Sequence, residues 1–333
     1  MLSKLLGAEA MGLFQMIMSV LMVFLIFSIF GIPTAVSKLV AEQNSKRNHY
    51  AIKNILGVAL SLTLLISIFL SFFILLFGET ISFKMFKTND MLAPIYLLIP
   101  AIFLISTTAI LSSYYYGLKM IIIPSISQII EHLARFIIVL GFLYYVYPVD
   151  PLYGALIAIS GIIIGEAFHL AWLMVMFNRF KKKPVPSSTN RLCHIVILKR
   201  ILPIATPIGI SGLLNVLLRL LNSIWIPQKL IEAGYTYSEA IGIFGRITGM
   251  TMPLIMLTFM VTSAMVTNLV PNLSEQIALK NYRNVNNNIL FSIKITLLVS
   301  MPLAAVCIFF SEPLGIFLYI YITHYKSYSK EFI

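Results

Sequence analysis

Eight long apolar stretches, at about 11–37, 52–78, 92–117, 121–147, 151–178, 201–228, 243–270 and 288–312, alternate with short polar runs along this chain. A helix needs about 20 apolar residues to cross the hydrocarbon core of a bilayer, and each stretch has that length. Met91–Leu118 carries no charge at all. Strands of an outer-membrane barrel would instead alternate polar and apolar in segments of about 10 residues. These runs are solidly apolar, so the pattern predicts an all-α polytopic membrane protein. Composition agrees: a soluble globule with 59% hydrophobic and 11% charged residues would expose too much apolar surface.

The formal net charge of +12 changes the picture only through its placement. Take the first stretch as running from outside to inside. The inside segments then hold Lys38, Lys46, Arg47 and Lys53, then Lys119, then Arg179, Lys181, Lys182, Lys183, Arg191, Lys199 and Arg200, and finally Lys280, Arg283 and Lys294. The complete outside loops hold only Lys84, Lys87 and Lys229. Basic residues in alternate loops are the mark of insertion with the cytoplasm on the basic side. That regularity argues against nucleic acid as a partner and for a multi-pass protein of a plasma membrane. Cys193 and Cys307 have no nearby partner, so neither a disulfide framework nor a metal cluster is expected.

Most predicted loops are short. The exception is Asn178–Arg200, with Lys181-Lys182-Lys183-Pro184, which reads as a basic cytoplasmic linker at 178–200 between an N-terminal helical lobe, 1–177, and the start of a second lobe, 201–333. An internal repeat supports that division. A shift of 233 residues places Gly12 on Gly245, Thr34 on Thr267, Glu42 on Glu275, Gln43 on Gln276, Asn48 on Asn281, Asn54 on Asn287, Phe77 on Phe310 and Glu79 on Glu312. Both copies run in the same direction, the parallel kind of repeat, related by an axis along the membrane normal. The second copy is preceded by the stretch 201–228, the first only by Met1–Ala10, which resembles the outer end of such a helix. The chain therefore reads as truncated at both ends, lacking a first helix and several last ones.

Ionisable groups inside a bilayer are expensive and mark functional sites by default. Gln128, Glu131 and Arg135 share one face of the stretch 121–147. Ser211, Asn215, Arg219 and Asn222 share one face of 201–228, and Glu166 and His169 share one face of 151–178. Thr251, Thr258 and Thr262 line 243–270, with Arg246 near its outer end, while Thr108, Ser112 and Gln15 add polar points elsewhere. Polar stripes on several helices predict a shared wet cavity. Each has a plainer reading: Glu131 and Arg135 as an intrahelical ion pair, His169 and Glu166 as a packed polar pair, Arg246 snorkelling to the interface. Prolines in or near the spans, among them Pro33, Pro100, Pro203, Pro207, Pro253, Pro271 and Pro302, remove backbone hydrogen bonds and kink helices. Pro33, Pro207 and Pro253 are the expected gating points. No Walker loop, HExxH, Gly-x-Ser-x-Gly or CxxC motif occurs, so no enzyme, cofactor or metal is expected. Without a nucleotide motif, transport would draw on an ion gradient, the membrane potential or a substrate gradient.

Leu6-Gly-Ala-Glu-Ala-Met-Gly-Leu-Phe-Gln15, Gly31-Ile-Pro-Thr-Ala-Val-Ser-Lys-Leu-Val-Ala-Glu42 and Pro124-Ser-Ile-Ser-Gln-Ile-Ile-Glu-His-Leu-Ala-Arg135 resemble the stage V sporulation protein B and polysaccharide-export branch of the multidrug/oligosaccharidyl-lipid/polysaccharide flippase superfamily. Gly249-Met-Thr-Met-Pro-Leu-Ile255 and Asn268-Leu-Val-Pro-Asn-Leu-Ser-Glu275 fit the same branch. The resemblance implies two pseudo-symmetric helical lobes around a central cavity. It also implies flipping of undecaprenyl-pyrophosphate-linked sugars, including peptidoglycan precursors, with a link to the spore cortex. The partners expected are thus a lipid-linked sugar pyrophosphate, the bilayer and a coupling ion. Arg forks suit a pyrophosphate in a cavity of low dielectric, which makes Arg135, Arg219 and Arg246 the expected headgroup contacts. Glu131, Asn215, Asn222 and Gln128 are their expected neighbours. Two rival readings use the same residues differently. An ion-coupled multidrug exporter would rely on Glu131 and Glu166, and a non-transporting membrane scaffold or inactive fragment would rely on none of them.

Overall fold

The structure is a computed structural model that describes residues 2–86, 91–146, 150–179, 194–253, 255–256, 259, 281–310 and 313. Its elements are α1 (Leu2–Ile29), α2 (Ile32–Ser45), α3 (His49–Phe86), α4 (Leu92–Gly117), α5 (Ile122–Val146), α6 (Pro151–Arg179), α7 (His194–Glu232), α8 (Tyr237–Gly245), a π-helical segment (Arg246–Thr251) and α9 (Tyr282–Phe309). Among the described residues there is no strand, and seven helices are long and apolar enough to cross a membrane. The protein is all-α and multi-pass, as the hydropathy pattern predicts. Half of the stretch 243–270 lies outside the described residues, as do Thr258, Thr262 and Pro271.

The first apolar stretch is interrupted. Phe30 and Gly31 both adopt positive φ, 35° and 71°, and the chain turns there between α1 and α2. Gly31 suits this conformation because it has no Cβ to clash. A Cβ on Gly31 would also lie 2.4 Å from the Ala205 carbonyl oxygen of α7. Pro33 sits at the start of α2, where a missing N–H leaves nothing unsatisfied. The break therefore belongs to Phe30 and Gly31, and Pro33 does not kink a helix interior. At the other end of the predicted linker, α7 begins at His194, so 194–200 is helical. Residues 2–10 form the first turns of α1.

Two compact units are present, Leu13–Ala240 and Met1–Gly12 with Ile241–Ile333. In the larger unit, α2 buries Ile32, Ala35, Val36, Leu39, Val40 and Gln43. That spacing of three and four residues is one helical face. It meets Ile52, Ile55 and Leu56 of α3, Ile110 and Tyr115 of α4, Leu173 of α6 and Ile201 and Ala205 of α7 in one apolar core. Ser28 of α1 stands 2.7 Å from both Ser67 of α3 and Ser106 of α4, a buried hydroxyl junction of three helices. Around these elements, α3 exposes Leu65, Phe69, Phe72 and Leu76, the expected outward face of a membrane helix.

The 233-residue repeat is visible in three places. Asn48 accepts a hydrogen bond from the Ala51 N–H and leads into α3, which starts at His49. Asn281 accepts one from the Asn284 N–H and caps α9, which starts at Tyr282. The two helix starts differ by the repeat length, and their caps are chemically identical. In the smaller unit, a Cβ on Gly12 would lie 2.2 Å from the Ile241 carbonyl oxygen, and one on Gly245 2.1 Å from the Ala8 carbonyl oxygen. Shifting Gly12 and Ala8 by 233 gives Gly245 and Ile241, so each contact is the image of the other. This reciprocity is the local signature of a two-fold relation.

Candidate functional site

Intramembrane polar residues gather where α4, α5 and α6 meet. On α6, Gly161 and Gly165 are four residues apart, so both fall on the face turned to α5. A Cβ at Gly165 would lie 3.1 Å from the Glu131 carbonyl oxygen, and one at Gly161 2.2 Å from a methyl of Val139. Small residues at this spacing let two membrane helices approach backbone to backbone. The approach brings Glu131 of α5 beside Glu166 and His169 of α6.

Contacts in the cluster are specific. Arg135 donates to Glu131 Oε1 one turn away. His169 Nδ1 lies 3.4 Å from Glu131 Oε2 and 3.3 Å from Glu166 Oε2. Thr108 of α4 donates to Glu166 Oε2 at 2.9 Å, and Ser112 stands 3.4 Å from His169 Nε2. One turn further along, the Tyr115 hydroxyl donates to the Leu173 carbonyl oxygen at 3.1 Å. The Glu131 and His169 side chains are 7% and 8% exposed, so water does little to screen these charges. Yet His169 Nδ1 and Arg135 Nε have no hydrogen-bond partner of good geometry. The ligand-capable atoms of Glu131, Glu166 and His169 lie within 4.8 Å of one another, a spacing compatible with a bound cation. Arg135 on Glu131 works against a divalent ion, because two carboxylates, a guanidinium and a dication leave an excess positive charge in a dry site.

The predicted residues fall into two groups. Glu131 is buried and Arg135 half-buried in the cluster, whereas Gln128, on the same helix, is exposed. On α7, Ser211, Asn215, Arg219 and Asn222 are all exposed and form one polar stripe. Asn215 donates to the Ser211 carbonyl oxygen at 3.0 Å. No carboxylate lies within ion-pairing distance of Arg219 or Arg246 among the described residues. Arg219 lies eighteen residues from the start and nine from the end of the predicted span 201–228, about 27 Å and 14 Å along the helix, and so inside the apolar stretch rather than at its ends.

Arg246 belongs to the smaller unit and is exposed at the start of the π-helical segment. The Thr251 hydroxyl donates to its carbonyl oxygen at 3.0 Å. Pro253 follows two residues later, and π-helical turns frequently mark functional sites. Pro207 lies inside α7 with Pro203 and Pro227. Sequence reasoning missed Gly161 and Gly165, although Gly-x-x-x-Gly in an apolar stretch was the available signal. Nothing in the sequence announced the π-helical segment beyond Pro253 itself.

A sequence model of the polysaccharide biosynthesis protein family matches residues 1–277. The chain is 26% identical over 301 residues to stage V sporulation protein B of Bacillus subtilis (strain 168), covering 89% of this chain and 58% of that protein. It is 22% identical to sporulation protein YkvU of the same organism, covering 94% and 68%. It is 23% identical to lipid II flippase MurJ of that organism, covering 95% and 61%. The chain thus spans only part of each relative's length. No solved structure matches it. With the family's sequence pattern along most of its length, and helices through the described residues, the chain belongs to the polysaccharide biosynthesis protein family.

Proposed function

We propose that this chain is the core of a transporter that flips an undecaprenyl-pyrophosphate-linked oligosaccharide or peptidoglycan precursor across a bacterial plasma membrane, in cell-wall or spore-cortex synthesis. Family membership supports the general class, and one relative carries the name lipid II flippase. The observation that carries the reading is the exposed polar stripe of α7. A charged residue inside an apolar span is costly if it faces lipid, so it faces water, a partner or a ligand. Arg219 has no acidic partner among the described residues, and its guanidinium fork matches a pyrophosphate. Asn215 and Asn222 flank it on the same face and offer neutral donors to phosphate or sugar oxygens.

Arg246 and Arg135 serve as secondary cationic contacts, with Glu131 setting the position of Arg135 and Gln128 at the exposed edge. The lobes 1–177 and 201–333, the linker 178–200 and gating at Pro33, Pro207 and Pro253 belong to the same proposal. A multidrug exporter of this fold would want free carboxylates for cationic drugs. Glu131 and Glu166 instead face Arg135 and His169, which favours the lipid-linked anion.

The test is Arg219→Ala in the intact protein, reconstituted in proteoliposomes with a fluorescent lipid-linked pyrophosphate sugar. Flipping is expected to fall at least tenfold with normal insertion, on the order of one lost charge-assisted contact. Arg219→Lys should recover part of it. Wild-type rates in Arg219→Ala would remove the site, and export of cationic drugs without lipid flipping would replace the function.

A further inference from the structure

The structure assigns to Glu131, Glu166 and His169 the binding of one transported proton, making the α4–α5–α6 cluster the coupling site of the flippase proposed above. This inference rests on that reading, but its chemistry can be tested without it.

Charge count is the first argument. Two carboxylates and one guanidinium sum to one negative charge, in a site whose carboxylates and imidazole are all buried. One added proton brings the cluster to neutrality, whereas a divalent ion overshoots it. Geometry is the second. His169 Nδ1 sits between Glu131 Oε2 at 3.4 Å and Glu166 Oε2 at 3.3 Å, and it is buried without a well-formed hydrogen bond to either. An N–H formed at this nitrogen has an acceptor on each side, and choosing one over the other needs only a small rotation of the ring. The opposite nitrogen faces the Ser112 hydroxyl, which accepts from an imidazolium and donates to a neutral ring.

Every group facing the proton is accounted for among the described residues. Glu131 and Arg135 come from α5, with His132 of α5 3.8 Å from Glu131 and largely exposed. Glu166 and His169 come from α6, and α4 supplies only the hydroxyls of Thr108 and Ser112. The helices are held in backbone contact by Gly161 and Gly165. A shift of α6 against α5 therefore changes the distance between Glu131 and the Glu166–His169 pair directly. Proton binding and helix position are linked by mass action: whichever state brings the three groups together binds the proton more tightly. An inward-moving proton is thereby exchanged for an outward-moving anionic headgroup.

Two measurements on the intact protein test this. In the first, 15N-histidine-labelled protein in nanodiscs is titrated by NMR, with His169→Gln assigning the signal. The protonation of His169 should respond to both Glu131→Gln and Glu166→Gln. A titration indifferent to both substitutions overturns the proton site whatever the protein transports. In the second, proteoliposomes with a clamped membrane potential receive a gradient of one pH unit, and a fluorescent lipid-linked pyrophosphate reports flipping. One coupled proton biases the distribution of substrate about tenfold per unit of gradient. Glu166→Gln and His169→Gln should lose that bias, read as the final substrate distribution with and without the gradient. Wild-type flipping that ignores the gradient, or variants that retain the full bias, overturns the coupling role. Absence of wild-type flipping removes the flippase reading, and the histidine titration then decides the proton site alone.

Discussion

Replacing Gly161 with alanine asks how closely α6 and α5 approach. The new methyl would stand 2.2 Å from Val139 Cγ2, where ordinary contact starts at 3.4 Å. Val139 is 1% exposed, and a β-branched side chain has few rotamers to retreat into. Overpacking of this kind costs about 1–3 kcal/mol. Alanine in place of glycine inside a helix returns about 1 kcal/mol. The net cost of Gly161→Ala should therefore be about 0–2 kcal/mol. With Val139→Ala in the background the obstacle is gone, and Gly161→Ala should stabilise by up to about 1 kcal/mol. The coupling between the two substitutions is then about 1–3 kcal/mol, within the range seen for residues in contact. The assay is SDS-driven unfolding of the intact protein in mixed micelles, followed by circular dichroism for the four members of the cycle. Gly57→Ala is the control, since a Cβ there meets nothing within 4 Å, and it should stabilise slightly. Equal effects of Gly161→Ala in both backgrounds would refute the close approach that seats Glu131 against His169.

Three other outcomes follow from the same geometry. Gly12→Ala and Gly245→Ala should destabilise to a similar extent, because each sets a methyl against a backbone carbonyl oxygen, and the same unfolding assay compares them. A large cost at one position alone would break the reciprocity of the two contacts. Asn48→Ala and Asn281→Ala should each lose about 1 kcal/mol of helix stability, read as faster amide exchange in the first turns of α3 and α9. At the start of α8, the Thr236 N–H and hydroxyl both donate to Glu239 and hold its carboxyl below the ordinary range. A lowered carboxyl in the folded state gives stability that is present above the unfolded value and is lost as pH falls through the folded one. Protection of the amides in the first turn of α8, taken relative to the intrinsic exchange rate at each pH, should therefore fall on acidification in the wild type. That fall should vanish in Glu239→Gln, and its persistence there would count against the capping box.

Apolar periodicity by itself determined that the chain is helical and crosses a membrane several times, because a length of about 20 residues without charge has no other stable use. The repeat was legible from a different signal, polar residues such as Glu42 with Glu275 and Asn48 with Asn281 that match at one offset. The candidate residues were legible as stripes: Arg219 with Asn215 and Asn222 lies along one exposed face of α7, as the spacing required. Only tertiary structure decided which stripes meet. Gln128, Glu131 and Arg135 share a face by count, yet Glu131 is buried against α6 while Gln128 is exposed. That difference comes from Gly161 and Gly165, whose missing side chains set where α5 comes closest. The break at Phe30 and Gly31 and the π-helical turn at Arg246–Thr251 were likewise invisible, because hydropathy averages over a window and does not register backbone conformation. Helix period places a side chain on a face, but the neighbour across from it depends on the packing of residues distant in the chain.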